Sequence, residues 1–312
     1  MLGQPTGFNW RLILPLALIG ISAAVPWSAT GTPTAANYAD RSGRVETPVN
    51  RAATTDLIAS RPEFFPRNDF SAAIAAVDDV DTATNIRAVL VPHHLPASSL
   101  IADALQRAAG RDISTVVIIG PNHEELGPSV LTTSAAWETP FGRVEADSAL
   151  ISGLADNLLA SSNAEGFRAE HSIGAIVPFV RHYVPTARIL PLILRYDTGD
   201  EIDALAAWLH ANLPAETLIV YSVDFSHYLS ENQADRNDEH TKRLLLDNRR
   251  AELLHLNSDF IDSPAAVALA LRLAELDDSV LTIQQHANSN RFIAQPSSST
   301  TGFFEIIWSS KP

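Results

Sequence analysis

The chain has 312 residues, 46% of them apolar and 19% charged, enough to bury the core of one large α/β domain or two small ones. A formal net charge of −14 with no basic block excludes a surface that holds nucleic acid or anionic lipid through Lys and Arg. The absence of cysteine excludes disulfide frameworks, zinc fingers, iron–sulfur clusters and thiol nucleophiles.

Residues 12–25, LILPLALIGISAAV, follow Arg11 and stop at Pro26 and Trp27. Their length suits the apolar region of a signal peptide, whereas a spanning helix takes about 20 residues. Residues 1–30 are therefore expected to be a signal peptide or an N-terminal membrane anchor, and the protein extracytoplasmic, secreted or anchored. Residues 31–61 have the Thr, Ala, Ser and Asn content of a polar flexible linker.

The body of the protein is read as residues 62–312, opening with PEFFPRNDFSAAIAAV, an aromatic lead-in and short helix. From there apolar runs alternate with amphipathic stretches. IRAVLV (86–91), TVVIIG (115–120), ARILPLIL (187–194) and TLIVYSV (217–223) read as buried strands, with Pro191 marking an edge or a bulge. Residues 98–110, 147–160, 201–213, 233–247 and 258–276 read as helices, Asp147 being positioned as an N-cap. SVLTIQQHA and TGFFEIIW supply two more strands. Such alternation predicts a single α/β domain, a mainly parallel central sheet with helices on both faces, which carries its ligands at the carboxyl ends of the strands.

Three strands deliver chemistry at that end. VLVPHHLPAS (89–98) presents His93 and His94, VVIIGPNHEE (116–125) presents His123, and LIVYSVDFSHY (218–228) presents Asp224 and His227. Glu170 and His171 open the apolar segment EHSIGAIVPFV. Imidazole is the commonest side-chain ligand of transition metals, and carboxylates complete such sites. Each residue also has a structural reading: a strand-end histidine bonded to a loop, Asp224 in a turn, the Glu170–His171 pair capping a helix. His182, His210, His240 and His255 sit in polar or helical surroundings, and His286 fits neither group. No GxGxxG, Walker or G-x-S-x-G pattern is present.

Taken in order, PHH (92–94), GPNH (120–123), ETPFG (138–142), EHSIGAIVPF (170–179) and SVDFSHY (222–228) resemble the motifs of the Memo family. In bacteria and archaea its members are known as AmmeMemoRadiSam system protein B. The resemblance covers residues 85–308 and implies the fold of the class III extradiol dioxygenases. It implies His93 and His123 as metal ligands, with His171, Asp224 and His227 lining the same pocket. The family usually supplies a cysteine as third ligand, and this chain has none. Asp262, in FIDSPAAVALAL, is the nearest position; it either restores a two-histidine, one-carboxylate triad or caps the helix that follows. His94 either adds a ligand or narrows the pocket.

The implied function is that of a non-haem, metal-dependent oxidoreductase resembling a dioxygenase. It would use a divalent transition metal, iron first and copper or zinc as alternatives, on a small-molecule substrate, with no nucleic-acid partner. A dioxygenase would bind O2 and a catecholic substrate in the open metal positions, with His227 or His171 moving protons. The competing readings are a non-catalytic metal- or ligand-binding protein and a metallohydrolase.

Overall fold

Alternation of side chains along a strand organises the core. The computed structural model describes residues 57–59, 67–77 and 80–311. In chain order, β1 (Leu57–Ala59) and α1 (Arg67–Ala75) precede β2 (Ile86–Val91), α2 (Ser98–Ala108) and β3 (Thr115–Pro121). Three short strands follow, β4 (Val130–Thr132), β5 (Ala136–Thr139) and β6 (Gly142–Val144). Next come α3 (Ser148–Asp156), β7 (Ser161–Ser162), α4 (Ala164–Arg168), α5 (His171–Gly174) and α6 (Val177–Tyr183). β8 (Arg188–Leu194), α7 (Ile202–Asn212) and β9 (Thr217–Ser222) complete the central strands. After them lie α8 (Glu231–Leu246), α9 (Arg250–Leu253), α10 (Pro264–Leu276), β10 (Ser279–Asn288) and β11 (Gly302–Ser310).

Among the described residues, eight strands form one sheet in the order β10-β11-β2-β9-β3-β8-β4-β7, and β1-β5-β6 form a smaller one. β2, β9, β3 and β8 run parallel, while β11 joins β2 and β4 joins β8 antiparallel. Successive side chains of the central strands enter opposite cores. Val117, Ile119, Leu190, Leu192, Ile219 and Tyr221 pack with α3, α7 and α10. Val116, Ile118, Ile189, Ile193, Leu218 and Val220 pack with α1, α2 and α6. Each fully buried aliphatic side chain contributes about 1.5–3 kcal/mol, so both faces of these strands are held strongly. The expected α/β architecture, with a parallel centre and helices on both faces, is what the chain forms.

Three expectations need correction. Pro191 lies neither at an edge nor at a bulge: β8 sits between β3 and β4, and its register with β3 runs unbroken from Arg188 to Leu194. Proline is tolerated because residues 145–147 pair beside Ile189 and β4 begins pairing only at Leu192, so its missing N–H falls in a gap. The Pro191 carbonyl accepts from Thr132 Oγ1 at 2.9 Å.

The helix expected over 258–276 starts at Pro264, capped by Ser263, whose hydroxyl accepts from Ala266 N. Asp262 is therefore not the cap, and residues 258–263 remain free to reach the sheet. Within the stretch read as linker, Leu57–Ala59 pairs in parallel with β5; three apolar residues are too few to show a period. The proposed signal or anchor at residues 1–30, and 31–56 of the linker, lie outside the described residues. Among the described residues no helix is long and apolar enough to cross a membrane.

Candidate metal centre

The carboxyl ends of β2, β3 and β9 come together because β9 is inserted between the other two. Their trailing residues open into a cavity of about 440 Å³ lined by His93, His123, His171, Asp224, His227 and Asp262, with His94 at its wall. All six predicted site residues thus share one pocket.

His93 is buried, and its ring is fixed from behind. Ser222 Oγ donates its one proton to the Ser172 carbonyl at 2.6 Å, so toward His93 Nδ1, at 3.2 Å, it accepts. Nδ1 therefore carries the hydrogen, and Nε2 turns its lone pair into the pocket. There Nε2 meets Asp262 Oδ2 at 3.2 Å and Asp224 Oδ2 at 3.6 Å. Burial, reinforced by His171 and His123, holds the His93 ring well below its ordinary pKa. Burial, reinforced by Asp224, pushes Asp262 well up, and burial raises Asp224 as well. Three lone-pair groups facing one another need a proton or a metal cation between them.

Asp262 reaches this position through backbone pairing with the β9 tail. Its N–H donates to the Asp224 carbonyl at 3.1 Å, and Asp224 N–H donates back to Asp262 Oδ2 at 3.2 Å. Asp262 Oδ1 is buried and has no hydrogen bond of normal geometry, an orphan acceptor of the kind a metal ligand presents. Asp224 is used structurally too, accepting from His93 N–H at 3.1 Å.

His123 has the same back-to-front design. Glu170 Oε1 lies 2.8 Å from its Nδ1, while Glu170 also accepts from the N–H groups of His123 and Ser172. Burial opposes the Glu170 charge, but these bonds, His123 first, outweigh it and bring the carboxyl down to about 2. An ionised Glu170 makes His123 Nδ1 the donor and leaves Nε2 as the free ligand atom, an outer-shell arrangement typical of metal-binding histidines. Gly120 is required behind this pair: a Cβ there would meet Ser172 Oγ at 2.5 Å.

His171 stacks on His123 with ring centroids 4.1 Å apart, and His93 meets both rings edge-on. Burial lowers the pKa of both His171 and His227. Two sets of ligand atoms lie within 4.8 Å of one another, His93–His123–His171 and His93–Asp224–Asp262, and they share His93. The predicted triad of His93, His123 and Asp262 is therefore divided between two overlapping sets that share His93. His94 enters neither; its ring lies on Phe303, 5.6 Å between centroids, and it forms the pocket wall.

Sequence reasoning placed Glu170 among the candidate site residues, with a helix cap as the alternative, and missed its hold on His123. It also missed Ser222, Tyr196 and Tyr228. A capping Glu beside a strand-end histidine is a local signal, but a contact across 47 positions is not. Ser222 offered a fainter one, as the polar residue ending an otherwise apolar β9.

The Memo-like protein family model matches residues 67–305. MEMO1 family proteins are similar along shorter stretches. One from Pyrobaculum aerophilum is 29% identical over 62% of this chain and 72% of its own length. One from Methanopyrus kandleri is 35% identical over 40% of this chain and 46% of its own, and one from Aquifex aeolicus 31% over 49% and 58%. The matched part thus spans from about half to about three quarters of these relatives. A crystal structure of an uncharacterized protein from Escherichia coli K12 aligns at a TM-score of 0.45 and 13% identity over 70% of this chain and 99% of that one, too distant to carry a fold assignment. With the family model spanning most of the chain over the strands, helices and pocket described above, this protein belongs to the Memo-like family.

Proposed function

We propose that the pocket is a metal centre in which His93 Nε2, His123 Nε2 and Asp262 are the protein ligands of a divalent transition metal. The observation that carries this reading is the meeting of the His93 lone pair with two buried carboxylates, one of them holding an orphan oxygen. Two imidazoles and a carboxylate form a hard-to-borderline donor set, which favours iron(II), then zinc, over copper(I). A bound metal of this kind supplies a Lewis acid with open positions for substrate and co-substrate.

The chain's own residues do the rest. Ser222 and Glu170 hold the two ligand histidines in the tautomer that leaves Nε2 free. His171 and His227, kept neutral by burial, accept or return a proton at the pocket, and Asp224 holds the His93 turn while offering a second carboxylate. The reading is a metal-dependent oxidoreductase acting on a small molecule. We further propose that residues 1–30 direct export or anchor the chain, on the strength of the apolar run after Arg11.

Metal analysis by mass spectrometry of freshly purified protein tests the centre. Near one metal per chain in the parent, and its loss in both His93→Ala and His123→Ala, supports it; equal metal in the three proteins refutes it. Metal bound without turnover of any small molecule would leave the non-catalytic reading in place of the oxidoreductase.

A further inference from the structure

We infer that the outer edge of β10 is an interface, closed by the same strand of a second copy of this chain in a two-fold antiparallel seam. β10 ends the main sheet, with β11 on one side and no strand on the other among the described residues. An open edge offers a row of unpaired N–H and C=O groups, and sheets guard it with short edge strands, charge, proline or bulges. The opposite edge is guarded by length, since β7 is only Ser161–Ser162. β10 runs for ten residues, SVLTIQQHAN, with no proline, glycine, carboxylate, lysine or arginine. Its register with β11 shifts between Ile283 and Gln285, which leaves Ser279–Ile283 as a regular run.

The sequence of that run fits its own copy. Residues opposite one another in an antiparallel pair share a face of the sheet. A two-fold axis through the middle residue therefore sets Leu281 against Leu281 and Val280 against Thr282. Leu281 and Ile283 are half-buried on the core beside α10, level with Trp308 and Ile306 of β11. The copy covers their open flank with the same apolar pair. On the other face Val280 is 46% exposed and Thr282 is exposed, and each gains a β-branched neighbour.

Charge selects the same place. At −14 the chain repels its copy over most of its surface, whereas Ser279–Ile283 brings no charge to the seam. The carboxylate that precedes the run, Asp278, is bound by Lys311. The segment before Leu57 is not the occupant, because it joins the domain at the other side of the sheet. Its entry strand β1 pairs with β5, and the chain leaving β6 pairs Ala146 with Ile189 of β8. So short a seam lies at the small end of specific interfaces and gives roughly micromolar affinity.

The absence of cysteine makes a direct test available. In Leu281→Cys the two thiols lie on the axis, with Cα atoms about 4.5–5.5 Å apart, within reach of a disulfide. Oxidation of the full chain with diamide should cross-link most of this variant, while Ser161→Cys, on the opposite edge, stays largely monomeric. Sedimentation of the parent at chain concentrations well above micromolar should show a dimer. Val280→Lys combined with Thr282→Lys sets like charges face to face on a surface that is exposed in the single chain. The pair should raise the dissociation constant at least about tenfold. A monomeric parent overturns the inference, and so does a dimer indifferent to the two lysines. No excess of cross-linking in Leu281→Cys over Ser161→Cys overturns it as well.

Discussion

Asp262 decides how the site is to be understood. Its carboxyl is buried against His93 and Asp224 and raised well above the ordinary value, so in the metal-free protein it opposes ionisation. A raised carboxyl costs stability above its unfolded pKa, and Asn at this position removes that cost. Asp262→Asn should therefore stabilise the metal-free chain at neutral pH while lowering metal affinity by roughly 100-fold. The fold should survive, because Ser263 caps α10. Opposite signs in a thermal melt and a metal titration are the signature; a loss in both would make Asp262 structural. Asp262→Cys should keep metal and move its preference toward softer ions.

Glu170 gives a second test at this scale. Its pKa of about 2 lies below the unfolded value, so it adds stability above about pH 4.5 that is lost as the pH falls toward 2. Glu170→Gln should flatten that acid limb and weaken metal binding about 10–100-fold, since His123 loses the partner that fixes its tautomer. His93, His123 and Asp224 were legible in the sequence because each follows an apolar run, and Asp262 only through the family resemblance, as the position nearest the missing cysteine. The roles of Glu170 and Ser222 were not, since their partners are far away in the chain and nothing local announces them.

Among the elements, α3 carries a local conflict. Its C-terminus is a Schellman motif: Leu159 N–H bonds the Leu154 carbonyl at 2.9 Å and Leu158 N–H the Ala155 carbonyl at 3.0 Å. The residue in the left-handed position is Leu158, at φ 57° and 91% exposed, where glycine is the usual occupant. Leu158→Gly should raise stability by roughly 0.5–1 kcal/mol in chemical denaturation; an equal loss would mean that the leucine has a contact in a larger assembly. The main strands were readable from continuous β-branched runs, which only a strand buried on both faces requires. β4 to β7 escaped because two to four residues show no period, and Pro191 was misplaced because its tolerance depends on where a neighbouring strand begins.

For the whole molecule, buried carboxyls also lie outside the pocket, Asp103, Asp238 and Glu305 among them. Glu305 of β11 is fully buried beside Gln285, and burial together with Asp103 lifts it to about 9. A raised pKa leaves stability intact below the unfolded value and removes it as the pH climbs toward 9. Glu305→Gln should therefore stabilise the protein by about 1–3 kcal/mol at pH 7 and by little at pH 4. A shift independent of pH would show that Glu305 is already ionised. Export belongs to this scale too: fractionation of cells expressing the full chain should recover it outside the cytosol, and recovery in the cytosolic fraction alone would remove the export reading.

The central claim is the identity of the metal's ligands, and anomalous diffraction from crystals grown with manganese(II) or zinc(II) tests it most directly. The account predicts one anomalous peak per chain, about 2.0–2.2 Å from His93 Nε2, His123 Nε2 and an Asp262 oxygen. A peak bound by His93, Asp224 and Asp262 without His123, or by the three histidines without a carboxylate, would contradict it. So would a fully occupied metal elsewhere in the chain with this pocket empty.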